Sequence, residues 1–266
     1  MDIALVGPGR AGTALAVALL GAGHRIISVA GRTPDAESTR VGAARFDARA
    51  VPVQYAGRGA ALVLIATPDD AITATARAIA QSLESGALVL HLSGSHGLDA
   101  LAAISIERGD VRVGAFHPLQ TIPSAESPLN GAWAAVAGPP EVAEVAREVG
   151  MHVFEVADAD RAMYHAAAVI SSNHLVALLG QVARLAAAAK VPFAAFESLA
   201  RAALENSFAF GPVEALTGPV ARGDVATVER HLAALPHDEH RAYSALADAA
   251  QRLSGRDDPA MREVLA

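Results

Sequence analysis

The chain contains no cysteine. That excludes disulfides, thiolate catalysis and cysteine-ligated zinc. Lysine occurs once, at Lys190, and there is no basic tract; 21 basic side chains against 28 acidic ones give a formal net charge of −7. Nucleic acid and an anionic membrane surface are therefore poor partners. Aromatic residues make up only 4% of the chain, while 52% is hydrophobic and much of that is alanine. Such a composition suits many closely packed helices around a sizeable core. No stretch of roughly 18 residues is free of polar breaks. The run 166–183 comes nearest, and it carries Ser171, Ser172, Asn173, His174 and Gln181. The apolar segment 14–20 lacks the positive flank of a secretory signal. The expectation is a cytoplasmic protein with no membrane partner.

What the chain does have begins at once. Ile3-Ala4-Leu5-Val6 is an apolar run of strand length, followed by Gly7-Pro8-Gly9-Arg10-Ala11-Gly12 and then by a helical pattern from Thr13. In this strand–glycine–helix context Gly7 permits the tight turn, Gly9 lets a pyrophosphate approach the backbone, and Gly12 lets helix and strand pack closely. The helix N-terminus supplies amide donors and a positive dipole for phosphate. The second strand, 25–30, ends in Gly31-Arg32-Thr33. No carboxylate stands there to bind a ribose 2′-hydroxyl, and Arg32 can pair with a 2′-phosphate. NADP (NADPH) is therefore expected over NAD; the plain alternative is an exposed loop arginine.

A Rossmann-type domain uses only about 150 residues, so a second domain must follow in a chain of 266 residues. Apolar strand patterns at 3–6, 25–30, 61–66, 87–92, 111–116, 133–137 and 152–156 alternate with helical patterns such as 70–83 and 140–149. This predicts an α/β doubly wound parallel sheet buried on both faces. From Ala159 onward only helical patterns remain, at 159–189, 193–209, 224–234, 237–253 and 259–265, with Asp224 as a candidate N-cap. The expected domains are 1–157, a Rossmann domain, and 158–266, an all-helical substrate and dimerisation domain. Phe208 and Phe210 are expected in the helical core.

Ligands of such sheets sit beyond the carboxyl ends of the strands. The places to search are Ala66-Thr67-Pro68, Leu92-Ser93-Gly94 and Phe116-His117-Pro118; the first is assigned to the cofactor together with Gly7, Gly9, Arg10, Ala11, Gly12, Arg32 and Thr33. On the helix that opens the second half, Arg161, His165, Val169 and Asn173 recur every four residues and so form a slowly drifting stripe. Histidine exchanges protons near neutral pH, which makes His165 a candidate acid; Asn173 can orient a substrate oxygen. A satisfied structural histidine is the competing explanation for His165, and a turn-capping role beside Pro118 is the one for His117. His237-Asp238-Glu239-His240 opens a helix without an evident third ligand, so no metal is expected.

The chain resembles proteins that join a Rossmann-like domain to the helical domain DUF2520, among the 6-phosphogluconate dehydrogenase-like reductases. The carriers are the Gly7–Gly12 motif, Ser93-Gly94, Phe116-His117-Pro118-Leu119-Gln120-Thr121, Tyr164-His165-Ala166-Ala167-Ala168 through Asn173, Ala215-Leu216-Thr217-Gly218-Pro219, Arg222-Gly223-Asp224 and His231-Leu232. The group is similar to alternative ketopantoate reductases. The resemblance implies an NADPH-dependent oxidoreductase reducing a small 2-oxo or imino acid, ketopantoate being one candidate. Ser93 and Gly94 stand where β-hydroxyacid dehydrogenases bind the substrate carboxylate, and His117-Pro118 is similar to the His-Pro of prephenate and arogenate dehydrogenases. Members of the group usually carry a lysine just before the Tyr-His pair; here Arg161 takes that place. Arginine can hold a carboxylate but is a poor acid, so His165 or His117 must deliver the proton. A prephenate-type dehydrogenase and a non-catalytic NADP sensor are the rivals. The resemblance also implies a homodimer.

Overall fold

A computed structural model describes all 266 residues. The chain divides into two compact units, Met1–Ser172 and Asn173–Ala266.

The first unit is built on one eight-stranded sheet. Its strands are β1 (Asp2–Val6), β2 (Arg25–Ala30), β3 (Arg49–Ala50), β4 (Leu62–Ile65), β5 (Leu88–His91), β6 (Arg112–Leu119), β7 (Trp133–Ala137) and β8 (His152–Glu155). The spatial order is β3-β2-β1-β4-β5-β6-β7-β8. All neighbours are parallel except β6 and β7, which run antiparallel. The expected doubly wound sheet is therefore present but not wholly parallel. The short β3 and the helix α2 were not expected. Neither has an apolar run to announce it, since β3 is two exposed residues.

The helices of this unit are α1 (Arg10–Gly21), α2 (Glu37–Arg45), α3 (Ile72–Ile79), α4 (Ala102–Glu107), α5 (Glu141–Glu148) and α6 (Arg161–Val169). Side chains alternate across a strand, and the core divides accordingly. Ile3 and Leu5, Leu62 and Leu64, and Leu88 and Leu90 face a layer holding Leu15 and Leu19 of α1 and Val142 and Val145 of α5. Ala4 and Val6, Val63 and Ile65, and Val89 face the opposite layer, with Ile72, Ala76 and Ile79 of α3 and Ile104 of α4. Each such Leu, Ile or Val contributes roughly 1.5–3 kcal/mol by leaving water. Because β1, β4, β5 and β6 are mutually parallel, their carboxyl ends share one edge, and every loop expected to bind ligand leaves from it.

The second unit is helical: α7 (Leu175–Ala188), α8 (Glu197–Phe210), α9 (Pro212–Ala215), α10 (Pro219–Arg222), α11 (Val225–Ala234), α12 (His237–Leu253) and α13 (Pro259–Leu265). Asp224 caps α11, its Oδ1 accepting from the Thr227 amide at 3.1 Å, and Asp258 caps α13 in the same way. Val228 and Met261 are fully buried at its centre, and Glu239 accepts from both Arg184 and Gln181. The expectation that Phe208 and Phe210 lie in the core is overturned. They are 84% and 68% exposed, and Leu199 and Val213 are also open. A groove of about 460 Å³ on the same unit is lined by Leu175, Leu179, Phe193, Phe196 and Leu204.

The long helix read at 159–189 is interrupted. The segment Ile170–His174 forms a π turn between α6 and α7. Its wider i→i+5 geometry breaks the 3.6-residue period, so Asn173 does not extend the Arg161–His165 stripe at α-helical spacing. The run Asp158–Ala188 is 31 residues long with a hydropathy of 1.4, and little of its most apolar window is buried. It meets the length and composition of a membrane-crossing helix on those two measures alone, though α6 at its start carries Arg161 and His165.

Candidate functional site

Two constellations lie on the shared edge of the sheet, both within the first unit. The first is the glycine loop. Gly7 follows β1 at φ +92°, a conformation that glycine alone adopts without strain. A Cβ there would come within 2.6 Å of the Ala66 carbonyl, and one on Gly12 within 2.5 Å of the Ala66 Cβ. Ala66 is thus the wall against which the turn and α1 pack. Nothing lies within 4 Å of the Cβ position of Gly9, so the loop is open where a pyrophosphate would approach. The first turn of α1 carries no acidic residue and no side-chain cap, which leaves its dipole and its leading amides, those of Arg10, Ala11 and Gly12, for an anion. Arg32 and Thr33 follow β2 and are exposed, and Arg32 makes no ion pair. These residues fit a dinucleotide.

The second constellation gathers Ser93, Gly94, His117, Arg161, Tyr164 and His165. His117, on β6, and Tyr164, on α6, are 47 residues apart, yet His117 Nδ1 lies 2.7 Å from the Tyr164 hydroxyl. The rings of His117 and His165 meet edge-on with centroids 5.6 Å apart. Gly94 is the seat for both. A Cβ there would fall 2.5 Å from His165 Nδ1 and 2.8 Å from His117 Cε1. His165 Nδ1 is buried against this backbone without a hydrogen-bond partner. Burial, reinforced by the Coulombic opposition of the neighbouring His165 and Arg161 to a further positive charge, pushes His117 down to about 4, so it is neutral at pH 7. Burial pushes the Tyr164 phenol up to about 12.

The turn after β5 is held from inside. His91 is fully buried; its Nδ1 accepts from the Ser93 amide at 3.2 Å, which leaves Nε2 to donate to the Gly97 carbonyl at 3.0 Å. Burial lowers His91 to about 4. The Ser93 hydroxyl accepts from the amides of Ser95 and His96, each at 3.2 Å. The same oxygen lies 3.2 Å from His96 Nδ1 and 3.3 Å from Ser95 Oγ, so the hydroxyl ties this turn together. Ser95 donates to Asp69 Oδ2 at 2.7 Å, with His96 Nδ1 3.4 Å from the same oxygen. Although burial opposes its ionisation, hydrogen bonds from Ser95 and Ser93 hold the Asp69 carboxyl below the usual range.

Arg161 is 1% exposed. Its Nε donates to Asp158 Oδ1 at 3.2 Å, and Asp158 Oδ2 accepts from the Leu98 amide at 3.1 Å. A Cβ on Gly97 would lie 2.4 Å from the Asp158 carboxyl carbon, so glycine is needed for this closure. Both terminal nitrogens of Arg161 are buried without a partner. The guanidinium is therefore shielded from solvent with two donors to spare. His117, His165, Ser93, Gly94 and Arg161 all come together in the first unit, although His165 and Arg161 were assigned to the second domain from the sequence. Asn173 opens the second unit, inside the π turn. Tyr164 and Asp69 were missed. The Tyr-His pair was the available signal for Tyr164; for Asp69 the signal was its position directly after Pro68.

Residues 1–118 match the Rossmann-like domain family and residues 135–250 match DUF2520, a domain of unknown function. Among solved structures, a candidate NADP oxidoreductase from Bacteroides fragilis is 26% identical, aligning over 94% of this chain and 98% of its own with a TM-score of 0.79. Two others share the fold. The Streptomyces aurantiacus imine reductase aligns over 100% of this chain and 92% of its own, at 19% identity and a TM-score of 0.63. The reductive aminase from Aspergillus terreus, solved with NADPH and ethyl levulinate, aligns over 99% and 90%, at 16% identity and 0.61. No curated protein sequence matches the chain. The chain thus carries an N-terminal Rossmann-like domain followed by a DUF2520 domain.

Proposed function

We propose that this protein is an NADPH-dependent reductase of a small 2-oxo or imino acid, with ketopantoate a candidate substrate. The observation that carries the reading is the His117–Tyr164–His165 cluster seated on Gly94, on the same sheet edge as the open glycine loop. A nicotinamide bound on that loop supplies the hydride. Arg32 selects the 2′-phosphate, and the amides that open α1 receive the pyrophosphate. His165 delivers the proton to the substrate oxygen or nitrogen, and His117 orients that atom. Two buried, unpartnered nitrogens on Arg161 match a substrate carboxylate, which is admitted when the Gly97–Leu98 segment leaves Asp158. The proposed partner of the second unit is a second copy of the chain; Leu199, Phe208, Phe210 and Val213 are the exposed apolar side chains it would cover.

The test is loss of NADPH absorbance across a panel of 2-oxo acids that includes ketopantoate, for the wild type and for His165→Ala. Turnover is expected, falling about 10²–10⁴-fold in the variant with NADPH affinity unchanged. Tight NADPH binding with no turnover of any member would refute the reductase reading and favour a sensor.

A further inference from the structure

Building on that reading, we propose that Tyr164 is a positioning residue that fixes His117 as its Nε2–H tautomer, so that His117 serves the substrate as a neutral hydrogen-bond donor while His165 supplies the proton. The argument starts from the 2.7 Å contact between the Tyr164 hydroxyl and His117 Nδ1. A phenol O–H is the better donor of this pair and an imidazole nitrogen the better acceptor, so Tyr164 donates and Nδ1 accepts. The imidazole proton must then sit on Nε2, the nitrogen left to meet a substrate.

Both partners are held in place. Tyr164 packs edge-to-face on Phe154, centroids 5.7 Å apart, and edge-to-face on His117 at the same separation. The Nδ1–Cε1 edge of His117 rests on Gly94, and His165 closes another side of the ring. The charged and titratable groups acting on His117 are His165 and Arg161 from α6, Asp69 after β4 and His91 on β5; all but Asp69 oppose its protonation. Protonation would also take the lone pair that Tyr164 uses. A neutral imidazole of this kind can polarise a carbonyl through its N–H. The two histidines thus divide the work, one holding the oxygen and the other protonating it.

The test is the histidine ¹⁵N–¹H spectrum of the full-length protein, with the His117 signal identified by its loss in His117→Gln. The expected spectrum shows a protonated Nε2 and an unprotonated Nδ1, unchanged from mildly acid to mildly alkaline solution. In Tyr164→Phe, which keeps the ring on Phe154, the expected result is a mixture of tautomers and a kcat about tenfold lower, the loss of about one hydrogen bond, with KM little altered. A His117 ring that is Nδ1-protonated or charged near neutral pH, or a Tyr164→Phe spectrum identical to the wild type, would overturn the proposal. The spectrum needs no turnover. A locked Nε2–H tautomer in a protein that reduces no 2-oxo acid would sink the reductase reading and leave the tautomer assignment standing.

Discussion

Replacing Gly94 with alanine adds one methyl group at the point where both histidines rest. Gly94 does not occupy the left-handed region, so alanine imposes no backbone strain. The effect is purely one of contact. The new Cβ would lie 2.5 Å from His165 Nδ1 and 2.8 Å from His117 Cε1. Ordinary contact begins at about 3.5 Å, so the rings must retreat by roughly 1 Å. Overpacking of this kind costs about 1–3 kcal/mol of stability, which is tolerable. A misplacement of about 1 Å in reacting groups can cost around 10²-fold in rate. The expected result is a kcat near one hundredth of the wild type, measured by NADPH oxidation with the best 2-oxo acid. NADPH affinity, followed by fluorescence titration, should hold, because the Gly7–Gly12 loop is a separate constellation. A wild-type kcat, or an NADPH affinity that falls as far as kcat does, would refute the reasoning.

Three further outcomes follow from the same structure. Arg32→Ala should weaken NADPH about 10- to 100-fold, the loss of a charge-assisted hydrogen bond, and leave NADH binding unchanged; an equal loss for both removes the 2′-phosphate assignment. His91 and His117 are lowered to about 4 from an unfolded value near 6.5. Between these limits the unfolded chain binds more protons than the native one, so stability is full above about pH 6.5 and falls on acidification towards 4. Denaturant unfolding at pH 7 and pH 5 should differ by about 2 kcal/mol for His91, and by up to that again for the less buried His117. This window lies above the carboxylate range, and equal stability at the two pH values would contradict the burial of both rings as neutral species. Light scattering should give twice the 27.1 kDa chain mass for the wild type and a single chain for Phe208→Glu combined with Phe210→Glu; a monomeric wild type refutes the second-copy proposal.

Features set by local chain geometry were legible in the sequence, and features set by contact were not. Gly7, Gly9 and Gly12 were readable because their spacing within a strand–turn–helix is itself the signal, although the wall that Gly7 and Gly12 pack on, Ala66, lies far along the chain. Asp224 was readable as a cap because it directly precedes a helical pattern. The direction of β7 was not: an apolar strand has the same composition whether it pairs parallel or antiparallel, and only its partner β6 decides. Nor were the partners of the Ser93 hydroxyl, which the fold of the turn supplies from Ser95 and His96. Phe208 and Phe210 show the limit of pattern reading most plainly. An apolar side chain in a helical pattern says that it wants cover, not that its own chain provides it.

The sequence by itself determined a Rossmann-like domain with a glycine turn after its first strand, and a helical second half, because periodicity and glycine placement act over short spans. Only the tertiary structure decided that Arg161 is buried beside an Asp158 tied to the Leu98 amide, that α6 belongs with the sheet, and that Tyr164 meets His117 across 47 residues. Those arrangements depend on which surfaces pack together, and packing is a property of the folded chain as a whole.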